Sequence, residues 1–217
     1  MKGNPFAPLM SLFGLTDEQA MWRVQMEDDP QAFGVLVRRW EPAIQRLCAR
    51  MTGSTEKGED LSQEAFARIY ARRKDYESNG KFSSYLWRVA LNICYDEIRR
   101  RDRRPETSLE VLEENRGQGP GETAASGPSP DQAAEDLERA EHVRRALLEL
   151  PELYRSVIVL RHYEDLKFRE IAEVLDIPEG TVKSRMAQGL SLLHALLSPA
   201  LAPEGVKPSR SPKLSIL

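Results

Sequence analysis

A chain of 217 residues with 31 Lys and Arg against 34 Asp and Glu carries a formal net charge of −3 and has room for one sizeable core or two small ones. With 41% hydrophobic and 30% charged residues it is composed like a soluble globular protein, and its longest apolar run, Val157 to Leu160, falls far short of the roughly 20 residues that cross a bilayer. The only two cysteines, Cys48 and Cys94, each fall inside an apolar helical pattern, which speaks against a disulfide framework or a cysteine-based zinc cluster.

Residues 1–15 form an N-terminal extension. Its apolar residues are broken by Pro5, Pro8 and Gly14, without the charged region and cleavage pattern of a secretory signal, so the chain is expected in the cytoplasm. Four helices are then predicted, over about 16–28, 30–51, 56–74 and 82–104. Pro30 suits a first helical turn, and Phe33, Leu36, Val37, Trp40, Ile44, Leu47 and Met51 recur at the spacing of an amphipathic helix until Thr52-Gly53-Ser54 ends it. Leu61, Ala65, Phe66 and Ile69 make the next apolar stripe, and Tyr76 to Gly80 has turn composition.

Residues 105–134 hold four prolines, four glycines, no aromatic residue and a net charge of −5, the composition of a flexible acidic linker. A second module occupies 135–198. Leu137, Ala140, Val143, Leu147 and Leu150 form one stripe, and Pro151 opens a helix in which Leu153, Tyr154, Val157, Ile158 and Leu160 face inward. A short helix, Phe168 to Leu175, is followed by Asp176-Ile177-Pro178 and a longer helix from Glu179 to about Leu197, a helix-turn-helix candidate. The tail, 199–217, is rich in Pro and Ser and is expected to be disordered. The predicted fold is therefore all-α: two small helical domains joined by a flexible acidic linker, with a helix-turn-helix in the second.

Partitioning the charge is more informative than its total. Residues 81–104 carry 7 basic and 3 acidic side chains, whereas 135–198 carry 9 and 12. At 100° per residue, Phe82, Leu86, Val89 and Ile93 share one side of the helix from residue 82. Arg88, Asn92, Arg99 and Arg103 gather on another, with Tyr85 and Trp87 nearby. Such cations neutralise phosphates, an amide pairs with a base edge, and aromatic planes stack on unpaired bases. A solvated helix end accounts equally for the arginine run, and core packing is the commoner fate of a residue like Trp87. On the final helix Val182, Met186, Leu190, Leu193 and Leu197 line one side. Opposite them lie Thr181, Ser184, Arg185 and Gln188, with Lys183 on the flank, a polar face that fits the major groove. No catalytic constellation is visible: His142, His162 and His194 lack ligand spacing, and no cofactor or metal is expected.

Two sets of residues resemble the extracytoplasmic-function (ECF) group of bacterial RNA polymerase sigma factors, in the sigma-70 family. The first is Glu59-Asp60-Leu61-Ser62-Gln63-Glu64-Ala65-Phe66 with Phe82-x-x-Tyr85-Leu86-x-x-Val89-Ala90-x-Asn92-x-x-x-Asp96-x-Ile98-Arg99-Arg100. The second is Leu150-Pro151-x-x-Tyr154-Arg155 with Glu170-Ile171-Ala172-x-x-Leu175-x-Ile177-Pro178-x-Gly180-Thr181-Val182-Lys183-Ser184-Arg185. The resemblance spans about 17–104 and 135–197. It implies a non-enzymatic subunit that gives core RNA polymerase its promoter choice, with sigma region 2 at 16–104 and region 4 at 135–198.

By that resemblance Asp60, Gln63 and Glu64 dock on core polymerase. Tyr76, Asn79, Lys81, Arg88, Asn92, Arg99, Arg100 and Arg103 capture and melt the −10 element, and Thr181, Lys183, Ser184, Arg185 and Gln188 read the −35 element. The acidic linker would thread toward the RNA exit path, its carboxylates at Glu106, Glu110, Glu113 and Glu114 imitating a nucleic-acid strand. Promoter DNA, core polymerase and an anti-sigma factor are the expected partners. The sequence departs from the family at Asp176, where Gly is common, at Leu91, where Arg is frequent, and at the uncharged Met186–Leu190, so weak DNA binding by the free chain is expected. A sigma-like decoy that sequesters an anti-sigma factor and a simple helix-turn-helix regulator are the alternatives.

Overall fold

The computed structural model describes residues 14–77, 80–103 and 130–201, with side chains in the last span described over 136–198. Every regular element among them is helical. Helix α1, Asp17–Glu27, starts at a capping box in which Gln19 N–H donates to Thr16 Oγ1 (3.2 Å) and Thr16 N–H to Gln19 Oε1 (3.0 Å). Asp29 caps α2, Pro30–Thr52, by accepting from the N–H groups of Gln31 and Ala32, and Pro30 supplies the preset first turn. Ser54 caps α3, Thr55–Ala71. A Cβ on Gly58 would lie 2.8 Å from Gln45 O and from Ala49 Cβ, so glycine there lets α3 lie tightly against α2.

Helix α3 ends earlier than the sequence suggests. The chain turns into a short 3-10 segment, Arg73–Asp75, because α1 captures it: Gln25 Nε2 donates to Lys74 O and Tyr76 O (2.7 Å), and Asp28 pairs with Arg73 (2.7 Å) and Lys74 (3.0 Å). Helix α4, Phe82–Asp102, closes the module over a core that includes Met21, Leu36, Ile44, Leu47, Ile69 and Leu86. Leu91, where relatives often carry Arg, is part of that core at 1% exposure, so the substitution trades a cation for packing.

In the second module α5, Pro130–Glu149, begins inside the stretch assigned to the linker, while residues 104–129, with the acidic residues Glu106 to Glu114, lie outside the described residues. Helices α6, Glu152–His162, α7, Phe168–Leu175, and α8, Glu179–Leu201, follow. Helix α8 runs past the expected Leu197, and residues 202–217 of the tail lie outside the described residues. Asp176 adopts φ 55, so Asp takes the left-handed position that ends α7 and the helix-turn-helix forms. Ile171, Val174, Val182 and Met186 bury its inner faces. Four residues expected inside are exposed: Leu137, Ala140, Leu153 and Leu190. Leu137 lies on the first half of α5, and among the described residues no neighbouring helix buries it; Leu153 sits on the first turn of α6, at the rim.

The two modules pack against each other, and the contact is organised by the carboxyl end of α2. Gly53 caps that helix at φ 83, returning its N–H to Ala49 O (2.7 Å). The carbonyls of Met51, Thr52 and Gly53 would otherwise be orphaned. Each accepts from a different arginine: Arg155 of α6 reaches Met51 O, Arg101 of α4 reaches Thr52 O (3.2 Å), and Arg144 of α5 reaches Gly53 O (2.9 Å). Arg155 is 3% exposed and also donates to Leu148 O and Leu150 O, so one guanidinium closes the ends of α2 and α5 together. Burial pulls its pKa down to about 10, which leaves it cationic at neutral pH. Leu148 lies where a Cβ on Gly53 would be, 2.6 Å from Cδ1.

Replacing Arg155 by Met strips two buried carbonyls and one part-buried carbonyl of their donor and is expected to cost about 3 kcal/mol in urea unfolding. Arg155→Lys, with a point charge in place of a fork, should recover less than half of that loss. Gly53→Ala should cost about 1–2 kcal/mol in the same assay, from its positive φ and the collision with Leu148.

Candidate nucleic-acid and polymerase interface

The residues assigned to core polymerase lie on the outer face of α3. Asp60, Gln63 and Glu64 are all exposed, and Glu64 pairs with Arg68 one turn on (2.5 Å). Asp60 and Glu64 edge an open concavity of about 290 Å³ between α3 and α4, across which stand Asp96, Glu97 and Arg100. Glu97 binds Arg100, so that arginine is directed into the concavity's charge network and away from the −10 face. This surface is polar, solvent-facing and uncovered by the second module, the character of a docking site for a basic or mixed partner helix.

The residues expected at the −10 element are divided by the fold. Tyr76 is buried in an aromatic cluster, its ring 6.3 Å from that of Phe82 and 5.2 Å from that of Tyr85, and its hydroxyl is buried without a partner. Its neighbour Asn79 lies outside the described residues. Trp87 is 4% exposed and meets Trp40 edge to face at 5.8 Å, so packing claims it. Arg88, Asn92, Arg99 and Arg103 share one exposed face of α4, as the helical spacing requires. Arg103 Nε donates to Arg99 O (3.1 Å), folding back along its own helix.

Three of the cations on this side meet the second module. Arg88 Nε donates to Val174 O (3.1 Å) and its Nη2 to Glu173 O (2.5 Å), at the carboxyl end of α7. Lys81 pairs with Glu170 of the same helix (3.3 Å), and Arg99 pairs with Glu152 of α6 (2.7 Å). Hydrogen bonding to Glu152 raises the Arg99 pKa above its already high ordinary value.

On α8, Lys183, Ser184 and Gln188 are exposed, whereas Thr181 and Arg185 are half-buried. Lys183 pairs with Glu179 (2.7 Å), Ser184 Oγ donates to Thr181 O (3.0 Å), and Gln188 Oε1 accepts from Tyr154 O–H (3.0 Å). Such local partners hold the side chains in register along one helix face near its N-terminus. Gly189 lets α8 approach α6: a Cβ there would stand 3.1 Å from Ile158 Cδ1 and 3.2 Å from Tyr154 Cβ.

The chain's sequence matches the Sigma-70 region 2 family over residues 36–104 and the Sigma-70 region 4 family over 140–193. It is 36% identical over 169 residues to the ECF RNA polymerase sigma factor SigW of Bacillus subtilis, covering 78% of this chain and 90% of that one. The chain belongs to the ECF sigma factors. It is also 31% identical over 189 residues to the sigma-E factor of Escherichia coli, covering 86% of this chain and 97% of that one. CnrH, solved with the cytosolic domain of CnrY, shares the fold with a TM-score of 0.58 at 23% identity over 84% of this chain and 95% of that one. RpoE of Bartonella quintana, solved with the anti-sigma factor NepR, gives 0.54 at 20% identity, over 76% and 96%. This sigma factor is thus a non-enzymatic initiation subunit that binds core RNA polymerase and confers promoter choice. No helix among its described residues is long and apolar enough to cross a membrane.

The seam residues Arg155, Arg144, Arg50 and Glu164 carry no assignment in the sequence reading. Arg155 offered one signal: a cation one place before the inward run Ser156 to Leu160, where a buried charge needs partners. Arg50 and Glu164 pair at 3.1 Å across the seam, with the Arg50 guanidinium 4.3 Å from the Tyr163 ring centre. Burial raises the Glu164 pKa, against the pull of Arg50 and Arg46 and with the help of Asp165. Glu141 behaves oppositely: hydrogen bonds from Arg144 and Arg145 lower its pKa to about 2.

The two groups should leave opposite marks on stability. The folded pKa of Glu164 exceeds its unfolded value, so its contribution is full below pH ~4.5 and declines as pH rises through the folded pKa. Glu141 contributes above pH ~4.5 and loses that contribution as pH falls toward 2. Urea unfolding between pH 3 and 7 should therefore show Glu164→Gln becoming relatively more favourable as pH rises, and Glu141→Gln becoming relatively less so.

Proposed function

We propose the following division of labour for this sigma factor. Residues 16–104 act as region 2: Asp60, Gln63 and Glu64 dock on core polymerase, while Lys81, Arg88, Asn92, Arg99 and Arg103 bind the −10 element. Tyr76 and Asn79 complete that set, Tyr76 by shaping the loop before α4, while Arg100, held by Glu97, faces the concavity between α3 and α4. Residues 135–198 act as region 4, where Thr181, Lys183, Ser184, Arg185 and Gln188 read the −35 element in the major groove. The observation that carries this reading is the convergence of the exposed side chains Arg88, Asn92, Arg99 and Arg103 on one face of α4, with the half-buried ring of Tyr95 beside Arg99. Phosphates are met by the guanidinium groups and a base edge by the amide. An anti-sigma factor is proposed as the regulatory partner, supported by the complexes of CnrH with CnrY and of Bartonella quintana RpoE with NepR. The work is cytoplasmic, where polymerase and promoter are.

Run-off transcription with purified core polymerase should rise at least tenfold on promoters of this factor's regulon when the chain is added. Core binding without stimulation on any genomic promoter would instead support the decoy role. Arg88→Ala and Asn92→Ala should each lower permanganate-detected opening at least fivefold with core affinity unchanged, and normal opening would remove them from the −10 assignment.

A further inference from the structure

Cys48 and Cys94 are the chain's only cysteines, both are fully buried as free thiols, and neither the polymerase nor the promoter assignments use them. They sit on different helices, Cys48 on α2 and Cys94 on α4, 46 positions apart in sequence. Whether they meet depends on the register of those two helices.

Two contacts set that register. Trp40 of α2 packs on Trp87 of α4 with ring centres 5.8 Å apart, and beyond the cysteines Arg101 of α4 donates to Thr52 O at the end of α2 (3.2 Å). The helices therefore run in the same direction. Cys48 lies eight residues past Trp40 and Cys94 seven past Trp87, about 12 and 10.5 Å of helical rise, so both thiols stand at one level. Trp87, Leu91, Cys94 and Ile98 form one buried stripe of α4, while Trp40, Ile44 and Cys48 follow at one-turn steps on α2. Packed helix axes about 8–10 Å apart, with Cα atoms about 2.3 Å from each axis, bring facing Cα atoms to about 4–6 Å, the range that a disulfide spans. The thiols also sense each other: interaction with Cys48, and then burial, raises the Cys94 pKa, while Arg155 pulls it the other way.

We infer that Cys48 and Cys94 are an oxidisable pair, which a peroxide converts to an intramolecular disulfide that staples α2 to α4. One thiol loses its proton, and the thiolate attacks a peroxide oxygen, breaking the O–O bond to give a sulfenic acid and a hydroxide that takes up that proton. The partner sulfur then attacks the sulfenic sulfur and expels its oxygen as hydroxide, which the partner's proton converts to water. Two thiols and one hydrogen peroxide thus give one disulfide and two waters, and two electrons pass from sulfur to oxygen. Burial keeps the first step slow, and no other thiol in the chain competes for the sulfenic acid. The bond closes a loop that holds α3 and the segment before α4, which restricts the unfolded chain. It lies about 120–160° round α4 from Arg88 and Asn92, so the exposed faces of α3 and α4 stay free.

The test oxidises the full native chain with millimolar hydrogen peroxide and then denatures it in N-ethylmaleimide. The expected product is a single chain lighter by two hydrogens that takes up no maleimide, whereas the reduced chain takes up two. Trypsin should release the Cys48 and Cys94 peptides joined, and dithiothreitol should part them. The joined form should unfold at a urea midpoint at least about 0.5 M above that of the same sample after dithiothreitol, with run-off transcription on core polymerase within twofold. Two thiols still open to maleimide, sulfinic acid at either cysteine, or a bond found only between chains overturns the pair. A joined chain whose midpoint is unchanged or lower overturns the staple, and transcription lost beyond twofold overturns the freedom of the two faces.

Discussion

The carboxyl end of α2 is the constraint on which the arrangement of this molecule depends. A helix that ends in the interior exposes carbonyls carrying partial negative charge, and burial without donors would be costly. Here Met51, Thr52 and Gly53 are met by arginines from α6, α4 and α5. Because two of those three come from the second module, satisfying one helix end also fixes how the modules meet. Glycine at position 53 is required twice over, for its positive φ and for the space that Leu148 fills. Arg155 makes the arrangement cooperative: the same buried group closes the end of α5, so α2, α5 and α6 meet at one cation.

The helices themselves were legible from the sequence. Periodic apolar residues, Pro30 at a helix start and Thr52-Gly53-Ser54 at a helix end placed the elements of the first module to within a few residues, except at the end of α3. That end depends on Gln25 reaching backbone carbonyls about fifty positions away, a contact with no local signature. The seam was illegible for the same reason. Arg88, Arg144 and Arg155 all bind main-chain oxygens of distant helices, and a carbonyl acceptor has no residue identity from which a pairing could be read. Periodicity placed Arg88 and Asn92 on one face of α4, because that face is a local property. It could not show that the face is occupied. Leu137 and Leu190 mark the opposite error, since a stripe on a helix is buried only where another element arrives to cover it.

The seam combines contacts of unequal strength. Around its rim, Lys81 with Glu170 and Arg99 with Glu152 are solvent-exposed pairs, each worth at most about 1 kcal/mol and weakened by salt. The caps on the α2 carbonyls are more buried, yet water can replace the arginines there once the surfaces part, and Arg155 keeps its two acceptors on Leu148 and Leu150 when it releases Met51. Opening therefore leaves no group permanently orphaned.

Charge distribution explains how a chain of net −3 can contain a DNA reader. The stretch from 81 to 104 is basic by 4 and the second module acidic by 3, so packing the modules together sets opposite signs against each other. The acidic residues that pair across that face, Glu152 and Glu170, lie on α6 and α7, while Lys183 of α8 pairs within its own helix with Glu179. One small module thus sets acidic groups against the basic face of α4 and keeps a polar face with Lys183 and Arg185 on α8.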